Sequence, residues 1–139
     1  MSSVERKLAE ARSLSVLLHR ASERAQRDFA AAVEPLGVTA PMARTVLLLA
    51  TPTPMRGIAE HLACDPSYVT NVADLLERAG LAERVTGTDR RVKLLALTPA
   101  GLRLRGRIAE KVAREATVLR TLTPAQREAL RELAELMLR

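Results

Sequence analysis

The stretch MRGIAEHLACDPSYVTNVADLLERAGLAERVTGTDRRVKLLALTPAG, residues Met55 to Gly101, decides how the rest of the chain is read. In its first part Ile58, Ala59 and Leu62 recur at helical spacing, and the pattern stops at Ala63-Cys64. Asp65 then stands as an N-cap, with Pro66 at the first helical position, where a missing N–H costs nothing. Beyond it Val69, Val72, Leu75 and Leu76 form an apolar side, which turns Ser67, Tyr68, Thr70, Asn71 and Asp74 outward. Gly80 closes this second helix at a C′ position, where a left-handed conformation suits glycine. After it the period changes. Val85, then Val92, Leu94, Leu95 and Leu97, predict two short strands joined by Thr86-Gly87-Thr88-Asp89-Arg90-Arg91.

Helix, turn, helix and a hairpin with a basic tip, in that order, make a winged helix. Its second helix needs an apolar back that fixes it to the core and a polar N-terminal half that reaches base edges. Ser67 and Thr70 are able to hold phosphates or bases, Asn71 suits a bidentate adenine contact, and Tyr68 can stack or hydrogen-bond. Read alone, Asp89-Arg90-Arg91 is a solvated charged turn. Placed after a helix-turn-helix, Arg90 and Arg91 become candidates for phosphates or for a narrow minor groove.

Asp89-Arg90-Arg91, followed by Lys93-Leu94-Leu95-Ala96-Leu97-Thr98-Pro99-Ala100-Gly101, resembles the D-x-R…L-x-L-T-x-x-G wing signature of the MarR family of bacterial transcription regulators. The resemblance implies a mainly α fold with a small β-hairpin wing, in which N- and C-terminal dimerisation helices flank a winged helix-turn-helix core. It further implies that Arg91 enters the minor groove and that Asp89 orients it. Two departures stand out. Members often carry arginine where this chain has Asn71, which moves electrostatic work to the wing and to Arg78. They also cap the first helix with Ser or Thr followed by an acid, where this chain has Arg56-Gly57; the helix start is then frayed, or Arg56 meets a phosphate.

Outside the decisive stretch, Val4, Leu8, Ala11, Leu14, Leu18, Ala21, Ala25 and Phe29 recur at steps of three or four, predicting one long helix from Ser3 to Glu34, ended by Pro35 and Gly37. So long a stripe exceeds what a domain of this size can cover, so part of it belongs against another subunit; the alternative is a helix lying over its own core. Thr39 caps a helix with Met42, Val46, Leu47 and Ala50 on its apolar face, and a brief strand at Thr53 to Met55 can pair with the wing. Thr98-Pro99 starts a helix running through Leu104, Ile108, Val112, Ala116 and Leu119 to about Arg120, and Thr123 to Gln126 open the last one as a capping box. Residues 1–139 thus read as one domain, with 39–98 the winged-helix core and 1–35 and 99–139 the dimerisation helices. Leu8, Leu14, Leu18, Leu119, Leu130, Leu133 and Met137 are the candidate dimer contacts.

The composition agrees. Aromatic residues are 1% of the 139 and apolar ones 47%, so the core is aliphatic and favours helices. A net charge of +6 points to an anionic partner, nucleic acid first. No apolar run is long enough to span a bilayer and the N-terminus is charged, so a cytoplasmic protein with no membrane partner is expected. The single Cys64 excludes an internal disulfide and reads as a small filler in the turn, while His19 and His61 lie too far apart to suggest a metal. Arg103, Arg105 and Arg107 read as a solvated face. Without a phosphate loop, nucleophile elbow or zinc motif, no catalysis and no cofactor is expected.

The sequence therefore predicts a sequence-specific, DNA-binding regulator. Its DNA contacts are assigned to Ser67, Tyr68, Thr70, Asn71, Arg78, Asp89, Arg90 and Arg91. By resemblance it is a homodimeric repressor on a pseudo-palindromic duplex, answering to a small effector in a crevice that Phe29 helps to wall. Alternatives are a winged-helix protein-interaction module and a nonspecific basic DNA-binding protein without effector; the polar Ser67, Thr70 and Asn71 argue against the first.

Overall fold

The computed structural model describes residues 1–139. Helix α1 (Ser3–Val33) opens with a capping box between Ser2 and Glu5 and ends in a 3₁₀ turn, Glu34–Leu36, that Gly37 closes at φ 79°. The chain continues as α2 (Ala40–Leu48), β1 (Thr53–Pro54), α3 (Met55–Leu62), α4 (Pro66–Arg78), β2 (Ala82–Thr86), β3 (Lys93–Leu97), α5 (Pro99–Glu115), α6 (Thr117–Thr121) and α7 (Pro124–Met137). The strands form one antiparallel sheet in the order β1-β3-β2, and the expected brief strand pairs Thr53 with Leu95 and Pro54 with Leu94.

The core sits beneath this sheet. Val46 and Leu49 of the α2 segment, Ile58 of α3, Val69 and Leu76 of α4, Leu95 of β3 and Ile108 of α5 are buried to 1% exposure or less. All are aliphatic, so shape rather than ring stacking fixes the packing. The α2 face differs slightly from expectation: Leu49 is buried and Ala50 exposed, because the helix ends at Leu48 and the chain turns there.

Several caps work as the sequence implies. Thr39 accepts a hydrogen bond from the Met42 N–H, Thr98 from the Gly101 N–H, and Thr123 and Gln126 form a reciprocal box. Gly80 adopts φ 72° after α4. Thr98 does more than cap: its hydroxyl donates to the Gly80 carbonyl at 2.7 Å and its N–H to the Leu81 carbonyl at 3.0 Å. These bonds pull the start of α5 onto the start of β2. Only a glycine fits there, since a Cβ at position 101 would lie 2.0 Å from the Leu81 oxygen.

Four expectations need correction. Leu75 is not buried; it is 44% exposed, and Ala73 takes its place, since positions 69, 72, 73 and 76 are those that face the core. Asp65 occupies the N-cap of α4, but its carboxylate makes no capping bond; its main-chain carbonyl instead takes the Tyr68 and Val69 N–H groups. The helix after Thr98 does not run to Arg120: Ala116 is extended (φ −59°, ψ 128°), separating α5 from α6. The Thr117 hydroxyl, just past that break, donates to Asp28 of α1 at 2.6 Å, and the β-branched pair Thr117-Val118 has little helical preference to oppose the bend. Finally, Arg105 is only partly solvated, because its Nε donates to the Leu47 carbonyl at 3.2 Å and ties α5 to α2.

The two chain ends leave apolar faces uncovered. Leu8, Leu14 and Leu18 of α1 are each about half exposed, and α7 buries no residue at all. Leu130, Leu133 and Met137 lie open along it, and Leu119 of α6 is exposed as well.

Candidate nucleic-acid interface

Three elements build the site. Helix α3 ends at Ala63, which takes the left-handed conformation (φ 50°) that lets the chain reverse within two residues into α4. The Cys64 N–H bonds back to the Ala59 carbonyl and the Ala63 N–H to that of Glu60, so the turn is closed on itself. Cys64 packs partly buried against the core, as a filler does. His61, one turn before it, lies 3.3 Å from the Gly57 carbonyl through Nδ1.

Helix α4 then presents Ser67, Tyr68, Thr70 and Asn71 to solvent while Val69, Val72, Ala73 and Leu76 hold its back. The Thr70 hydroxyl donates to the Pro66 carbonyl at 3.1 Å, which leaves its oxygen as an acceptor only. Ser67, Tyr68 and Asn71 make no side-chain bond within the chain and keep both roles. Arg78 lies two turns beyond Asn71 on the same face, its Nε directed at the Asp74 carbonyl at 3.4 Å. It sits too far along the helix to join the N-terminal group at one base step.

Sequence reading missed Arg84. This β2 residue donates from one guanidinium nitrogen to Asp74 and from another to Glu77, both at 2.8 Å, and its N–H bonds the second Glu77 oxygen at 3.0 Å. Asp74 therefore does not point freely outward; it is turned into this clamp. The Asp74 hydrogen bond, joined by the Coulomb attraction of both acids, raises the Arg84 pKa further above its ordinary value against a partial loss of solvent, so the clamp is always charged. It locks the helix to the first strand of the wing. It also neutralises two carboxylates that would otherwise face an anionic partner. A faint signal existed in the sequence: an arginine between two short apolar stretches, with two acids one turn apart upstream.

At the wing tip the Val92 N–H donates to the Asp89 carbonyl at 2.9 Å and the Gly87 N–H to the Val92 carbonyl at 3.0 Å, closing a tight loop around Arg90 and Arg91. The Asp89 carboxylate accepts from the Arg91 N–H at 3.0 Å and lies 3.5 Å from its Nε. Arg91 is nonetheless 92% exposed. Such a pair is worth little to stability, but it restricts where the guanidinium points. At the base of this loop Lys93 Nζ donates to Thr86 Oγ1 at 3.2 Å, across the last strand pair before the tip.

A second concavity lies away from these groups. Phe29, Ala25 and Ala32 of α1, Val112 of α5 and Val118 of α6 wall a cavity of about 90 Å³, closed at one side by the Thr117–Asp28 bond. Thr117, aided by Arg24 and Arg120, holds the Asp28 carboxyl below its ordinary range. The Arg44 guanidinium lies 5.5 Å above the Phe29 ring, a cation–π contact from α2 to α1.

No family model matches the sequence, and no curated protein matches it. Solved structures do match. The transcriptional repressor CouR, bound to a 23-mer DNA duplex, is 30% identical, with 91% of this chain and 92% of CouR covered at a TM-score of 0.78. CouR from Rhodococcus jostii RHA1 bound to p-coumaroyl-CoA superposes at 0.74, with 27% identity over 88% of this chain and 89% of that one. A cysteine-to-serine mutant of MarR from E. coli, complexed with operator DNA, shares the fold at 0.80 with 22% identity, over 94% and 96% of the two chains. A regulator of the MarR family from Rhodococcus sp. RHA1 does so at 0.73 with 23% identity, over 90% and 93%. With near-complete coverage in both directions, and with the Asp89-to-Gly101 signature forming the wing and the capped start of α5, this protein belongs to the MarR family of transcriptional regulators.

Proposed function

We propose that the protein is a homodimeric transcription regulator that reads a pseudo-palindromic DNA duplex. The observation that carries this reading is the pairing of an exposed polar face on α4 with an exposed, Asp89-oriented Arg91 at the wing tip. Ser67, Tyr68, Thr70 and Asn71 read base edges in the major groove; Arg78 and Arg90 hold phosphates; Arg91 enters the adjacent minor groove with Asp89 setting its direction. Two such helices, about one helical turn (~10 bp) apart, are what a two-fold operator requires. Leu8, Leu14 and Leu18 of α1 with Leu119, Leu130, Leu133 and Met137 supply the dimer contact, so that 39–98 form the reading head and 1–35 with 99–139 the bundle. No helix is long and apolar enough to cross a membrane, which accords with a protein working in the cytoplasm.

Repression follows when the bound dimer blocks polymerase. Regulation is assigned to the cavity beside Phe29: a small, largely apolar effector seated there favours one angle between α1 and the α5–α6 break, and DNA binding changes with that angle. CouR, solved both with DNA and with p-coumaroyl-CoA, supports the effector reading. Anisotropy titration against the duplex upstream of the protein's own coding region, at two salt concentrations, tests the whole. A specific-to-nonspecific ratio of about 10³ or more with steep salt dependence is expected, and Arg91→Ala should lower affinity while leaving the dimer intact. Equal affinity for any duplex would reduce the protein to a nonspecific basic binder.

A further inference from the structure

Strands β1 and β3 run side by side, with Pro54 opposite Leu94, so the start of α3 comes level with Lys93 and the descending limb of the wing. Between them opens a cleft of about 510 Å³ walled by Pro54, Met55, Arg56, Arg91, Val92 and Lys93. Three of these six are cations and none is an acid. Two of the three are tied to the wing: Arg91 leans on the Asp89 carboxylate and Lys93 donates to Thr86. The Arg56 guanidinium is exposed and makes neither an ion pair nor a hydrogen bond.

Three cations around one space repel one another, and the Asp89 carboxylate beside Arg91 offsets only part of that repulsion. An anion placed among them offsets the rest. Arginine presents a planar fork to a phosphate and lysine a compact charge, so Arg56 and Lys93 complement each other on a single phosphodiester. Resting on the reading that Arg91 lies in the minor groove, the strand bordering that groove would pass the mouth of this cleft, because Arg91 is one of its walls. We propose that the cleft between α3 and the wing seats one backbone phosphate of that strand, with Arg56 as its principal ligand and Lys93 as the second. The contact is blind to sequence. Its work is to fix how deeply the wing enters, in a chain whose reading helix carries no arginine among Ser67, Tyr68, Thr70 and Asn71.

The experiment is a salt series of anisotropy titrations for the wild type, Arg56→Ala, Arg56→Lys and Arg91→Ala, on the upstream duplex and on an unrelated one. Arg56→Ala is expected to flatten the dependence of log K on log salt by about 0.9 per protomer and to weaken both duplexes by the same factor; Arg56→Lys should retain most of the slope. Methylphosphonate substitution scanned along the duplex should find one position per half-site at which the wild type and Arg56→Ala become equal. An unchanged slope in Arg56→Ala, with Arg91→Ala still impaired, overturns the phosphate seat and leaves the DNA reading standing. A changed specific-to-nonspecific ratio in Arg56→Ala also overturns it, since Arg56 would then be reading bases. Failure of the wild type to bind either duplex sinks both. Matching thermal melts confirm that the exposed substitutions leave the fold intact.

Discussion

Gly101 shows how much a single residue of the wing signature is set by sterics. The Thr98 bonds to Gly80 and Leu81 bring two backbones so close that a methyl at position 101 would collide with the Leu81 carbonyl oxygen. Gly101→Ala should destabilise the protein by about 1–3 kcal/mol, the usual cost of forcing extra volume into a packed site, with the upper end favoured because backbone must yield. Denaturant unfolding measures it, and a midpoint equal to wild type would mean that the α5 start shifts freely. Gly106, with open space around the corresponding position and no positive φ, serves as the contrast in the same series. At this scale the sequence was highly legible: caps at Thr39, Thr98 and Thr123 depend on neighbours three residues away. Where the backbone competed for the same donors, as at Asp65, the side-chain expectation failed.

Among the elements, the pairing of α4 with β2 matters most. Arg84 joins the helix assigned to the duplex to the strand that carries the wing, so the two would meet DNA as one rigid unit. All three side chains are partly exposed, between 29% and 45%, so the clamp contributes on the order of 1 kcal/mol to stability rather than the several expected of a buried network. Its removal should be felt more in binding. Arg84→Met would free Asp74 and Glu77 as uncompensated carboxylates beside the phosphates, and DNA affinity should fall about tenfold or more, with a small change in melting temperature. A large stability loss with unaltered affinity of the remaining folded protein would show the clamp to be structural only. No local pattern announces such a contact, since its partners are separated by seven and ten residues and lie on different kinds of element. The break at Ala116 escaped for the same reason: the Thr117–Asp28 bond that accompanies it spans 89 residues. Leu75 is a milder case, where a leucine one step off the helical stripe looks like part of it.

Across the whole molecule, the apolar surface is divided unevenly. The central core is closed and takes in Val33 of α1 with Leu104 and Ile108 of α5, whereas the outer part of α1 and all of α7 keep their leucines open, with Leu133 at 60% and Leu14 at 55% exposure. Burying such side chains contributes about 1.5–3 kcal/mol each, enough in sum to hold a dimer together. Leu133→Glu should shift the protein toward monomer in sedimentation velocity at micromolar concentration and lower DNA affinity with it, because two linked heads bind far better than one. An intact dimer would move the interface elsewhere. The aliphatic core has one further consequence. With no tryptophan, one tyrosine, one phenylalanine and two histidines, the aromatic region of a proton NMR spectrum contains only four ring systems. Tyr68 sits on the face assigned to bases and Phe29 in the wall of the cavity assigned to an effector. Each proposed partner thus has its own native reporter, and occupancy of one site can be watched without disturbing or labelling the other.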